Sequence, residues 1–240
     1  MSKVIKQSAS LLVVAPSNEV LFMRRPSHGS YPSAHVFPGG VLEPDDPHLT
    51  YCALRETYEE TGLLISPEGG SRPQLHSVGM ETYEDALRAN GTNPSHYDWT
   101  KPHSIGLTPM SQWITPPHNK KRFATQFYLY QAPHAFDLQH VKSSEVDKIE
   151  WLSPDEALSQ FKSGNISMMP PQFYLMTALS EKGIQGAIRS LSERAFAPFL
   201  RKKHPDGRIE LDWGEGEAGI LSVDKASGQV TKIEYIRPRI

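Results

Sequence analysis

Strand-like and helical segments alternate along the chain, and this alternation restricts the folds that it can adopt. Residues 8–15 and 20–23 are largely apolar and are separated by a Pro-Ser-Asn-Glu turn, so they predict a hairpin. The spacing becomes helical over residues 49–61, and this helix is predicted to end at Gly62. No internal repeat with a period of roughly 20 to 50 residues is present, which excludes solenoids and propellers. The chain is therefore predicted to have an α/β fold.

The alternation continues in the middle of the chain. Residues 123–132 and 148–152 have the pattern of strands. Ser153, with Glu156 three residues later, predicts the N-terminus of a helix, because the Ser hydroxyl can cap the backbone N–H groups of the first turn. A mixed order of strands and helices is therefore predicted throughout.

The predicted organisation is a main domain with two additions. Residues 1–155 are predicted to form the main domain, and residues 66–105, rich in Pro, Gly, Ser and His, to form an insertion in it. Residues 156–240 are predicted to form an extension packed on the same domain. This extension is expected to be helical in two pieces over residues 170–199 and short-stranded over residues 207–236.

The composition excludes several classes of partner. The 25 Lys and Arg residues nearly balance the 27 Asp and Glu residues, so no bulk charge favours nucleic acid or an anionic membrane. No apolar run approaches the ~20 residues that span a bilayer. Cys52 is the only cysteine, which excludes an intramolecular disulfide and indicates a reducing compartment. We expect an intracellular monomer or homodimer, in the cytoplasm first, with the peroxisome and the mitochondrion left open.

Three carboxylates occupy one turn of the predicted helix. Glu56, Glu59 and Glu60 stand at positions i, i+3 and i+4, so a helix brings them to a single face. Such a cluster repels itself unless a cation lies between its members, and hard oxygen ligands suit Mg²⁺ or Mn²⁺. The alternative is an acidic helix face that is solvated and has no function.

The surroundings of this cluster favour the metal interpretation. Gly40 closes a Gly-Gly turn fifteen residues before Arg55, and Asp46 lies between them. This segment resembles the Nudix box: a glycine, five residues, a Glu, seven residues, then Arg-Glu-apolar-X-Glu-Glu-X-Gly. Asp46 replaces the usual Glu and is followed by one extra residue, and Thr57 replaces the apolar residue. The resemblance implies the Nudix fold, a mixed β-sheet sandwiched between helices.

Three segments resemble the coenzyme A diphosphatase branch of that family. They are the box with its longer acidic loop, residues 21–38, and residues 113–127. The resemblance implies hydrolysis of coenzyme A or acyl-CoA to 3′,5′-ADP and (acyl-)4′-phosphopantetheine. ADP-ribose, NADH and dinucleoside polyphosphates remain alternative substrates, and a Nudix-fold sensor that binds such a ligand without cleaving it remains an alternative function.

The resemblance also implies roles for individual residues. Glu59 and Glu60, with Glu56 nearby, are expected to hold Mg²⁺ or Mn²⁺, and Arg55 is expected to orient the carboxylates. The general base is expected to be either Glu56 or Glu145, an acidic residue in the loop before the 148–152 strand.

Substrate binding is assigned to glycines and to basic residues. Gly39 and Gly40 are expected to contact the substrate at the turn before the helix. Arg24, Arg25 and Arg122, which follows Lys120 and Lys121, are the candidate cations for its phosphates. Tyr83 and Tyr97 of the insertion are candidate contacts for the half of the substrate that is not a nucleotide.

Overall fold

The computed structural model describes residues 4–28, 31–67, 73–138, 141, 146–192 and 194–238. The strands are β1 (Ile5–Val14), β2 (Val20–Arg24), β3 (Ala34–Val36), β4 (Gly39–Val41), β5 (Leu63–Leu64), β6 (Gln74–Leu75), β7 (Thr108–Ile114), β8 (Arg122–Gln131), β9 (Lys148–Leu152), β10 (Ser167–Met168), β11 (Arg194–Phe196), β12 (Phe199–Lys203), β13 (Ile209–Gly214), β14 (Glu217–Val223) and β15 (Val230–Ile236). The helices are α1 (Leu49–Thr61), α2 (Tyr83–Ala89), α3 (Pro154–Lys162) and α4 (Pro170–Leu191), and short 3-10 helices cover Pro94–His96 and Pro102–Ile105. Within the described ranges, no helix is long and apolar enough to cross a membrane.

One mixed sheet, of nine strands over the described residues, forms the centre of the fold. β1 runs parallel to β8 along its whole length. Two strands share the other edge of β1: β4 pairs with residues Ser8, Ala9 and Ser10, and β2 pairs at Val14. The predicted hairpin is therefore present, but β2 separates from β1 after one pair and continues against β3 and β9.

The side chains of β1 alternate between two hydrophobic clusters, which lie on opposite faces of the sheet. Leu11 and Val13 pack with residues of α1 and α2. Leu12 and Val14 pack with residues of α3, α4 and the four-stranded sheet of β12 to β15. A mixed sheet between helical layers is the α/β arrangement that the sequence predicts, and the fold class is confirmed.

Local sequence determines both ends of α1. At its start, the His48 side chain accepts a hydrogen bond from the backbone N–H of Thr50. At its end, Gly62 adopts the left-handed conformation with φ 71°, and a Cβ there would lie 2.2 Å from the carbonyl oxygen of His76. The observed bounds of α1 confirm the helix predicted over residues 49–61.

Residues 73–105 pack against α1 as part of the core. Tyr83 and Trp99 are almost fully buried in the same cluster as Cys52 and Tyr58. The Tyr83 hydroxyl donates to the carbonyl oxygen of Ile65 at 2.9 Å. The expectation that Tyr83 contacts a substrate is wrong, because its ring and hydroxyl are both used inside the core.

Trp99→Ala is expected to lower the free energy of unfolding by about 3 to 5 kcal/mol, as is usual for removing a large aromatic side chain from a core. The indole packs edge-on against Tyr51 with ring centroids 4.9 Å apart, and its Nε1 donates to the carbonyl oxygen of Pro94 at 3.0 Å. Urea unfolding followed by circular dichroism measures the change. Tyr97→Ala, at a half-buried neighbour, should cost clearly less, and equal losses would contradict this account.

The region after α3 differs in part from the prediction. α4 is interrupted at Gly183, where φ is 63° and ψ is 177°, so the predicted break into two helical pieces is confirmed. Residues 194–199, however, contain strand β11 and the first residue of β12 where helix is predicted. β11 pairs with β7, and the Phe196 ring stacks on Trp113 with centroids 4.2 Å apart. Packing against a strand far away in the sequence outweighs the local helical pattern here.

A buried polar network joins α4 to the small sheet. Glu217 of β14 accepts hydrogen bonds from the Tyr174 hydroxyl at 2.9 Å, from Arg194 at 2.7 Å and from the Tyr235 hydroxyl. Burial alone would raise the pKa of Glu217, but these donors outweigh it and lower that pKa. Two strands of this region, β10 and β11, also pair with β3 and β7 of the main sheet.

Candidate active site

Two glycines allow the acidic face of α1 to lie close to β4. The backbone N–H of Gly39 donates to Glu60 Oε2 at 2.8 Å. A Cβ on Gly40 would lie 2.3 Å from the carboxyl carbon of Glu56, so a larger residue at position 40 would displace the Glu56 carboxylate. The two residues predicted as a Gly-Gly turn are thus part of strand β4, and they let this strand lie within hydrogen-bonding distance of the helix carboxylates.

Arg55 holds the carboxylates through its guanidinium group. Nε and Nη2 donate to the two oxygens of Asp46, both at 2.8 Å. Nη1 donates to Glu59 at 2.9 Å and lies 3.1 Å from a Glu56 oxygen. Asp46 occupies the position of the Glu in the Nudix box. It forms a two-pronged pair with Arg55, although its side chain is shorter than that of Glu and one extra residue follows it.

The site has an excess of negative charge. The guanidinium of Arg55 contacts three carboxylates, those of Asp46, Glu56 and Glu59, and a fourth, that of Glu60, lies on the same helix face beside Gly39. Burial raises the pKa of Glu59 even though Arg55 opposes the shift, and the charges of Glu43 and Asp46 raise it further. Burial would lower the pKa of Arg55, but the carboxylates outweigh it and raise that pKa.

A divalent cation fits the chemistry of this cluster. Carboxylate oxygens are the hard ligands that Mg²⁺ and Mn²⁺ prefer, and the excess negative charge favours a cation. Among the described residues, no three His, Cys, Asp or Glu side chains lie together in an arrangement that could hold a metal ion. The oxygens of Glu59 and Glu60 are instead hydrogen-bonded to Arg55 and Gly39.

The other predicted site residues lie on different elements. Arg24, at the end of β2, donates from Nε and Nη2 to Asp147, and the Arg25 backbone N–H donates to Ala34 at 3.0 Å. Arg122, at the start of β8, donates from Nε to the carbonyl oxygen of Thr115 at 3.0 Å. Glu145 lies outside the described residues. The structure thus brings Gly39, Gly40, Arg55, Glu56, Glu59 and Glu60 together, and the predicted phosphate contacts of Arg24, Arg25 and Arg122 stay predictions.

A buried pair next to Arg24 is absent from the sequence-based predictions. His35 Nε2 lies 3.0 Å from Glu150 Oε1, and the His35 side chain is 5% exposed. Burial lowers the pKa of His35, although Glu150 opposes the shift. The sequence shows two polar residues within strand-like segments, but their pairing depends on β3 and β9 flanking β2.

The comparisons with known proteins agree with this geometry. The profile of the NUDT19 Nudix domain family matches residues 44–179. Nudix hydrolase 7 of Caenorhabditis elegans is 29% identical over 188 residues, covering 73% of this chain and 61% of that protein. Acyl-coenzyme A diphosphatase NUDT19 of Homo sapiens is 28% identical over 230 residues, covering 67% of this chain and 60% of that protein.

Among solved structures, a Nudix hydrolase from Alicyclobacillus acidocaldarius has the same fold. It aligns with a TM-score of 0.62 over 80% of this chain and 99% of that chain, at 24% identity. The chain spans about 60% of the length of the two relatives above. Because the family profile covers more than half of the chain, including the carboxylate helix α1, the chain belongs to the NUDT19 Nudix domain family.

Proposed function

We propose that the chain hydrolyses the pyrophosphate bond of a nucleoside diphosphate derivative with the help of Mg²⁺ or Mn²⁺. The observation that supports this most directly is the arrangement of Glu56, Glu59 and Glu60 beside Gly39 and Gly40 of β4, with Arg55 on Glu56 and Glu59 and the Gly39 N–H on Glu60. A Nudix-fold sensor would not need this complete acidic face. Catalysis therefore accounts for more of the site than ligand binding alone.

Each residue has a role in this proposal. Glu59 and Glu60, with Glu56 nearby, would bind the cation, which when bound neutralises phosphate charge and lowers the pKa of a water molecule. Arg55 orients Glu59 and Glu56 through Nη1. Either Glu56 or Glu145 would accept the proton of the attacking water.

Coenzyme A or acyl-CoA is the first candidate substrate. The human relative carries the name acyl-coenzyme A diphosphatase, and the predicted products are 3′,5′-ADP and (acyl-)4′-phosphopantetheine. ADP-ribose, NADH and dinucleoside polyphosphates are the alternatives. Incubation with Mg²⁺ and a panel of these compounds, followed by product identification, tests the proposal. Preference for ADP-ribose over CoA would reject the CoA assignment, and no cleavage of any compound would favour the sensor.

The 3′-phosphate gives a quantitative prediction. CoA carries this group and dephospho-CoA lacks it, so dephospho-CoA is expected to have a kcat/KM roughly 10- to 150-fold lower. This range corresponds to about 1.5 to 3 kcal/mol for one lost charge-assisted hydrogen bond. Arg24, Arg25 and Arg122 are the candidate cations. Steady-state kinetics on the two compounds measures the ratio, and equal values would exclude a 3′-phosphate site.

A further inference from the structure

A polar cleft of about 170 Å³ lies between the β2–β3 region and the C-terminal part of the chain. The side chains that line it include those of Arg24, Ser33, His35, Asn165 and Gln229. Gln229 lies directly before β15, and Pro32 lies in the segment before β3. Gln229 Nε2 donates to the carbonyl oxygen of Pro32, and this contact closes one side of the cleft. The lining of the cleft therefore comes from three segments that are far apart in the sequence.

The charge of the cleft suits a phosphate group. Arg24 is the one charged side chain among its described lining residues other than the buried His35, and no carboxylate is among them. Arg24 Nε and Nη2 both donate to the same oxygen of Asp147, Oδ2. The side chain of Arg24 is 39% exposed and that of Asp147 is 48% exposed. An exposed ion pair of this kind contributes little, so a phosphate can compete for the guanidinium. Ser33 and Asn165 add a hydroxyl and an amide beside it.

A second observation concerns His35. Its Nδ1 is buried and has no hydrogen-bond partner in the described part of the chain. Burial lowers the pKa of His35, which favours the neutral ring, and Nε2 donates to the Glu150 carboxylate at 3.0 Å because a carboxylate oxygen accepts. Nδ1 is then an acceptor without a donor. Buried polar atoms without a partner are rare in proteins, and a hydroxyl group of a ligand would supply the missing hydrogen bond.

We propose that this cleft is the subsite for a phosphorylated ribose, with the phosphate on Arg24, Ser33 and Asn165 and the neighbouring sugar hydroxyl on His35. The inference rests on the proposed function, because a CoA-like substrate carries a 3′-phosphate beside a free 2′-hydroxyl. It selects Arg24 among the candidate cations. It also assigns part of the substrate site to residues after 155, which the Nudix box does not include.

The position of the cleft is compatible with this role. Arg24 and His35 are opposite each other on β2 and β3. Gly39 lies four positions after His35, which corresponds to at most roughly 13 Å of extended chain at about 3.3 Å per residue. The Cα atoms of His35 and of Gly39, whose N–H donates to Glu60, are therefore at most that far apart.

The activity test compares CoA with dephospho-CoA in matched variants. Arg24→Gln and Asn165→Asp are each expected to lower the preference for CoA at least tenfold, because the first removes the cation and the second adds a negative charge. Asn165 is exposed, so Asp at that position is compatible with the fold. Arg88→Gln is the control, since Arg88 forms an exposed pair with Glu84 on α2, and it should leave the ratio unchanged. Loss of the preference in Arg122→Gln but not in Arg24→Gln would overturn the inference.

A binding test separates this inference from the proposed function. Calorimetry without divalent ions compares adenosine 3′,5′-bisphosphate with AMP on the whole chain. The wild type should bind the bisphosphate at least tenfold more tightly, and Arg24→Gln and Asn165→Asp should remove the difference. If CoA is not cleaved but this difference depends on Arg24, the proposed function fails and the subsite stands. If CoA is cleaved and both variants keep the wild-type difference, the subsite is rejected and the function stands.

Discussion

Glu59→Gln and Glu60→Gln are each expected to lower kcat by a factor of about 10² to 10⁴ while the fold survives. The loss follows from removing a carboxylate that would bind the cation and stabilise charge in the transition state. Glutamine keeps the size of the side chain, and its amide oxygen can still accept the Gly39 N–H that Glu60 accepts at 2.8 Å. The expected change is therefore chemical rather than structural.

Steady-state kinetics over a range of Mg²⁺ concentrations measures this effect, with circular dichroism as the check on folding. Glu84→Gln is the matched control, because Glu84 is also a helical carboxylate paired with an arginine four residues away, but lies on α2. It should retain wild-type kcat. Near-normal turnover in either Glu59→Gln or Glu60→Gln would reject the assignment of that residue to the metal.

Arg55→Ala is expected to lower the free energy of unfolding by about 3 to 5 kcal/mol, the range for removing one partner of a buried ion pair. The side chains of Arg55 and Asp46 are 10% and 3% exposed and share two hydrogen bonds of 2.8 Å. Without the guanidinium, Asp46 would be buried without its cation, and Glu56 and Glu59 would repel each other. The loss is expected to be large for these two reasons.

Urea unfolding measures this loss, and Arg88→Ala is the control. Arg88 pairs with Glu84 at 2.6 Å, but both side chains are about half exposed, so the pair should contribute no more than about 0.5 kcal/mol. A loss below about 1 kcal/mol in Arg55→Ala would mean that Asp46, Glu56 and Glu59 do not depend on Arg55 for their arrangement.

The sequence predicts most of α1 and its acidic face because the signals are local. Apolar side chains at helical spacing, a glycine that can adopt a positive φ at position 62, and carboxylates at i, i+3 and i+4 all lie within one helix. The Ser153 cap is equally local, and its hydroxyl accepts the Glu156 N–H at 3.2 Å as predicted. Interactions within one turn need no knowledge of the rest of the chain.

Other features depend on contacts between distant segments. The pattern after residue 191 is helical, yet β11 forms because Phe196 stacks on Trp113 and β11 pairs with β7. Residues 66–105 are predicted as an insertion because they are rich in Pro, Gly, Ser and His, yet Trp99 of this segment packs against Tyr51 in the core. In both cases burial of a large aromatic ring outweighs local preference, and the partner ring cannot be identified from the sequence.

The sequence by itself determined the family and the helix that presents Glu56, Glu59 and Glu60, because the Nudix box is a contiguous segment with fixed spacing. Only the tertiary structure decided that Gly39 holds Glu60, that His35 pairs with Glu150, and that a cleft forms beside Arg24. The physical reason is the sheet topology. β4 and β2 share one edge of β1, β9 and β3 flank β2, and the turn before β15 contacts the segment before β3, so these side chains meet only after long-range pairing.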